Sequence, residues 1–157
     1  MNEIDRILDQ MDRAFAGDAW HGPSLMRLLE GLSAENASQH PIPGAHSIWE
    51  LALHTSAWKT IADQRLKGQA PDVSPERDWP PVWEVSEAEW KRTLNDLAAS
   101  HARLHETVKA LPNDLLDQKP PGASEPRYVL LHGVVQHDLY HAGQIAVLKK
   151  ALRREGL

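Results

Sequence analysis

The sequence predicts an all-α protein, a four-helix bundle with one short extra helix. Three observations lead there. Apolar residues recur at intervals of three and four in four long stretches. Clusters of Gly and Pro punctuate the chain between them. No stretch shows the strict alternation of a half-buried strand. At 157 residues the chain has the length of one ordinary domain, so residues 1–157 are read as a single bundle.

The first helix is expected from about Asn2 to Ala16, with Ile4, Ile7, Leu8, Met11 and Phe15 on one face and Gly17 as its stop. A short helix should follow Gly22-Pro23, with Pro23 in its first turn and Leu25, Leu28, Leu29 and Leu32 as its buried side. The segment HPIPGA at 40–45 then breaks the chain. Ser47 and Glu50 have capping-box spacing and open the second long helix. Its inner stripe is Leu51, His54, Trp58 and Ile61, and it should end near Gly68. Gln69 to Val85 reads as a long Pro-rich loop containing DWPPVW, longer than a simple connector. A second capping box, Ser86 with Glu89, opens the third long helix. Trp90, Leu94, Leu97, His101, Leu104, Val108 and Leu111 form its stripe, and Pro112 closes it. The last helix should run from about Pro126 to Leu152 on the stripe Leu130, Val134, His137, His141, Ile145, Leu148, Leu152.

Composition narrows the function classes. With no Cys, disulfides, thiolate metal sites and a Cys nucleophile are excluded, and a reducing cytoplasm is the expected setting. The N-terminal stretch lacks the apolar core of a signal peptide, and no run of about 18 apolar residues would span a membrane. Net charge is −5 and the 17 Lys and Arg are dispersed apart from KKALRRE, so nucleic acid is not an expected partner.

The chemistry lies in the inward histidines. His137 and His141 stand one turn apart on one helix face, a spacing that lets two imidazoles reach one ion. His54 lies on the inner stripe of another helix, and bundle sites are built from facing helices. Three nitrogen ligands leave a coordination position open, the pattern of a catalytic rather than a closed structural ion. Three imidazoles packed together without an ion would be poorly satisfied.

Other candidates carry alternatives. His101 reads as a fourth ligand, a partner behind a ligand, or a polar core residue. Glu50 is either the capping carboxylate or a catalytic base, and Gln144 either orients a ligand, touches substrate or solvates the helix edge. His21, with Trp20 and the DWPPVW loop, either lines the pocket mouth or belongs to loops packed on the bundle ends. Asp138 is read as a solvated side chain, and His40 and His46 as surface residues.

The segments HSIWELALHTSAW from His46 and LHGVVQHDLYHAGQIAVLKKAL from Leu131 resemble the DinB/YfiT-like superfamily of small four-helix metalloenzymes. WHGPSL at Trp20 and DWPPV at Asp78 extend the resemblance over nearly the whole chain. The resemblance places the family's metal triad on His54, His137 and His141, all histidine here. It also implies a divalent ion, Zn or Ni first, and a homodimer. Some members are thiol-dependent, among them bacillithiol-S-transferases and the mycothiol-dependent maleylpyruvate isomerase. The expected function is therefore metal-dependent S-transfer from an external low-molecular-weight thiol to a small-molecule electrophile. Metal-dependent hydrolysis, and a non-catalytic helical interaction module with a structural metal, are the alternatives.

Overall fold

The computed structural model describes residues 2–154. Its helices are α1 (Glu3–Phe15), α2 (Leu25–Leu29), α3 (Ala34–Ser38), α4 (Ile48–Leu66), α5 (Pro75–Asp78), α6 (Glu87–Lys109) and α7 (Arg127–Arg154), with a 3-10 turn at Asn113–Leu115. The described residues hold no β-strand. None of their helices is long and apolar enough to cross a membrane.

Local chemistry explains where the long helices begin. Asn2 and Asp5 close a capping box on α1. On α4, Ser47 Oγ accepts from the Glu50 N–H at 3.1 Å while Glu50 Oε2 accepts from the Ser47 N–H at 2.7 Å. The box expected at Ser86 is only half formed. Ser86 accepts from the Glu89 N–H, but the Glu89 carboxylate pairs with Arg92 instead of returning to the cap. Pro23 lies outside α2, one residue before its N-cap Ser24. Where one short helix is expected between the first two long ones the structure has two, α2 and α3, and the segment expected as a Pro-rich loop carries the single turn of α5.

α4 packs against α6 and α7, and α1 packs against the same two helices. The pairs α1/α4 and α6/α7 therefore occupy opposite diagonals of a four-helix bundle. Each long helix contributes to two apolar clusters. One gathers Phe15, Leu51, Trp90, Leu97, Ile145 and Leu148. The other gathers Ile7, Met11, Leu66, Leu104, Leu131 and Val134.

Between the clusters lies a polar layer. Lys59 of α4, 1% exposed, puts its Nζ 2.6 Å from Asp138 Oδ2 of α7 and 5.0 Å from the centre of the Phe15 ring of α1. His101 of α6 stacks on that same Phe15 ring at 3.8 Å. Asp138 is therefore a buried ion-pair partner at 1% exposure, which corrects its reading as a solvated residue. The cause is a small rotation of the buried stripe. In the first half of α7 it runs through Leu131, Val134 and Asp138 rather than Leu130 and His137. Burial pushes the Asp138 carboxyl up, against the pull of the Lys59 ammonium.

His101 settles as a polar core residue of this layer, with its Nε2 3.6 Å from Asp12 Oδ1. Burial first, then the charges of Lys59 and His105, lower its pKa from 6.5 to about 3. The unfolded chain takes up this proton near 6.5 and the folded chain only near 3. Stability is therefore present in full above 6.5 and falls as the pH drops from there toward 3. Melting temperatures recorded between pH 4 and 8 should decline on the acid side, with a shallower slope in His101→Gln. A melting temperature that rises on acidification would contradict this assignment.

Candidate metal centre

His54 sits in the second turn of α4, and His137 and His141 sit mid-way along α7. Because α4 and α7 are neighbours, the three side chains meet. Their Nε2 atoms converge: His54 to His137 at 3.0 Å, and His137 to His141 at 3.1 Å. Nitrogens about 2.0–2.1 Å from one tetrahedral ion stand roughly 3.3–3.4 Å apart, so shifts of a few tenths of an ångström would suit a single ion. His54 and His141 are buried and His137 is half-buried.

Proton placement tests whether this donor set fits a cation. His54 Nδ1 lies 2.6 Å from the backbone oxygen of Asp78, which can only accept, so Nδ1 carries the hydrogen and Nε2 a lone pair. His141 Nδ1 donates to Gln144 Oε1 at 2.6 Å, leaving its Nε2 a lone pair too. A hydrogen on His137 Nε2 could satisfy only one of them. A cation would accept all three lone pairs, and the set fits a divalent ion on that ground. Burial keeps the imidazoles neutral, as ligation requires. It lowers the pKa of all three, with His137 taken to about 3 by desolvation and then by His141, His54 and Lys59.

The Pro-rich loop supplies the support for His54. Ser74 caps the single turn of α5, whose last carbonyl, that of Asp78, has no partner further along that turn and receives the His54 hydrogen. The Asp78 carboxylate accepts from Trp58 Nε1 at 2.7 Å. Trp79, the next residue, stacks on His54 at 3.8 Å and on His46 at 3.6 Å. One short turn thus fixes a candidate ligand, positions Trp58 and covers one side of the centre.

The remaining candidates fall in different places. Gln144 is joined to the triad through His141. Glu50 is held in the α4 cap and pairs with His40 at 3.0 Å. Burial raises its pKa, but the hydrogen bonds from Ser47 and His40 outweigh that and hold it below the ordinary value, which makes it a weaker base. His101 belongs to the polar layer and is not part of the three-histidine group. His21 and the fully exposed Trp20 line a cleft of about 650 Å³ with Asp9, Arg13, Val135 and Leu139, which contains no member of the triad. Of the DWPPVW loop, Asp78 and Trp79 reach the centre while Trp83 is exposed. The sequence reading passed over Lys59 and gave Asp78 no role of its own. Lys59 stands one position beside the stripe Leu51, His54, Trp58 and Ile61, with the polar Thr55 and Asp63 one turn to either side, so periodicity marks nothing unusual for the first. A backbone contact leaves no signal for the second.

Gln144→Ala should weaken metal binding by about 10–100-fold, the usual effect of losing a group that orients a ligand. Competition with a chromophoric chelator measures this, and circular dichroism should show unchanged helicity. An affinity equal to the parent's would mean that His141 needs no such partner.

The family model of the DinB superfamily matches residues 19–145. The fold is similar to that of a conserved protein from Enterococcus faecalis known from its crystal structure, with a TM-score of 0.65 over 97% of this chain and 98% of that chain. Sequence identity in that pairing is 18%, so the likeness concerns the fold. No curated protein matches the chain.

Proposed function

The chain belongs to the DinB superfamily, and from that premise we propose that it is a metal-dependent enzyme with His54, His137 and His141 as ligands, transferring an external thiol to a small electrophile. The observation that carries this reading is the convergence of three Nε2 atoms, two of them fixed as lone-pair donors by hydrogen bonds at their Nδ1. Among the described residues no fourth His, Asp or Glu joins the group, which favours an open position over a closed structural site. Bound there, a divalent ion such as Zn or Ni would supply Lewis acidity, lowering the pKa of a thiol or a water that reached it.

The chain's own residues prepare that chemistry. Asp78 and Gln144 hold two imidazoles in one tautomer. Burial keeps the triad unprotonated at neutral pH. Trp79 shields His54 from water on one side. With no Cys in the chain, the nucleophilic thiol comes from outside. Thiol transfer is preferred to hydrolysis on the family resemblance. A homodimer belongs to the same proposal on the resemblance, and a cytoplasmic setting on the absence of Cys.

The test begins with untagged protein purified without chelator. Inductively coupled plasma mass spectrometry should find about one ion per chain. Consumption of a small thiol by an electrophile should be accelerated, lost after chelation and regained on adding back the ion. A chain that takes up no divalent ion would overturn the proposal. An ion-bearing chain with no thiol transfer but with ester or amide hydrolysis would move the reading to hydrolase.

A further inference from the structure

A cleft of about 250 Å³ opens between α4 and α7, lined by Trp58, Ala62, Leu130, Gly133, Val134 and His137. Its wall includes His137, a member of the triad. The neighbouring cavity of about 490 Å³ is lined by Gln144, His46, Gly143 and apolar side chains, with no triad member in its wall. Apart from His137, the cleft offers little polarity, because the Trp58 N–H is already committed to Asp78. That wall is fixed on two sides: Trp58 is held by Asp78, and the Arg65 guanidinium lies 5.7 Å from its ring centre.

Gly133 is the informative residue. It lies inside α7, where glycine is the poorest helix former after proline. Its backbone does not require glycine, since it is not among the positive-φ residues. Packing does not require it either, because an added Cβ would meet nothing within 4 Å. What the missing side chain leaves is the space of the cleft.

We propose that this cleft receives the apolar part of the ligand bound at the three-histidine centre, an uncharged group of about one aromatic ring. The proposal rests on the metal-dependent reading above. Size sets the class: a dry apolar cavity of roughly 150 Å³ accommodates benzene, so this cleft takes one substituted ring and not two. The reacting polar atom sits at the His137 end, and the ring lies against Trp58 and over Gly133. Substrates and thiols with a single aromatic or branched apolar arm are favoured over strongly charged ones.

The test has two readouts. In the first, ¹⁹F NMR of 4-fluorobenzyl alcohol is recorded with chelator-treated protein, so that cleft binding is read without an ion. The parent should broaden the probe signal. Gly133→Leu, which fills the cleft, should weaken binding at least tenfold, whereas Gly143→Leu, which fills the neighbouring cavity, should not. In the second, cobalt(II)-loaded protein is titrated with phenylmethanethiol and with ethanethiol, following the thiolate-to-cobalt absorption band. The parent should prefer the aromatic thiol by at least tenfold, and Gly133→Leu should remove that preference while keeping the parent's cobalt stoichiometry. If Gly133→Leu fails to fold by circular dichroism, Gly133→Ala replaces it and should give a smaller loss of the same sign. No broadening by the parent, or losses that follow Gly143→Leu instead, overturn the proposal. Broadening that depends on Gly133 in a chain that binds no cobalt supports the cleft and overturns the metal reading instead.

Discussion

Lys59→Met is expected to lower stability by about 3–5 kcal/mol, because it leaves the Asp138 carboxylate buried without its counter-charge. For a chain of this size that is a fall in melting temperature of roughly 6–20 °C. Asp138→Leu alone should cost a similar amount, by stranding the ammonium instead. The double variant Lys59→Met/Asp138→Leu should recover most of the loss, since well-packed apolar residues often replace a buried ion pair without penalty. Thermal and denaturant unfolding of the three variants gives the cycle. If each single variant lost less than about 1 kcal/mol, the pair would be behaving as a solvated surface bridge.

His137→Ala is expected to abolish stoichiometric metal, with an affinity loss well beyond the roughly 100-fold ceiling for residues that only orient ligands. His137 is the middle member of the group, with its Nε2 within 3.0 Å of one partner and 3.1 Å of the other. Removing it leaves His54 and His141 on separate helices. Helicity should be kept, because alanine suits a helix interior better than histidine. His101→Ala is the contrasting control. It lies in the polar layer against Phe15, so it should disturb stability while leaving metal stoichiometry intact. Elemental analysis separates the two outcomes, and a metal-replete His137→Ala chain would remove the basis of the proposed function.

The long helices were legible in the sequence because their information is local. Caps such as Ser47 with Glu50, and stripes such as Trp90 to Val108, are set by spacing within one segment. That His54, His137 and His141 each lie on or beside the inner face of their own helix was legible for the same reason, and the family resemblance joined them into one triad. What spacing cannot show is the pairing of faces. Lys59 and Asp138 are 79 positions apart, and a charged residue on a helix is ordinarily solvated unless a partner on another helix meets it. A one-residue rotation of the α7 stripe was enough to hide that partner. The five residues of α3 are too few for a periodic signal. The role of Asp78 toward His54 is carried by its carbonyl, which every residue type has.

The separation between His54 and His137, 83 positions, has a consequence in the language of polymer chains. In the unfolded chain His137 and His141 remain four residues apart and can still share an ion loosely. Recruiting His54 there would mean closing a loop of more than eighty residues, at an entropic cost of about 4.5 kcal/mol. The folded bundle has already met that cost through α4–α7 packing. On the proposed metal reading, the third ligand would therefore make the ion selective for the native state, and free ion would raise the unfolding temperature with the logarithm of its concentration. By the same linkage, a change that swings α4 away from α7 would release the ion with every ligand still in the sequence.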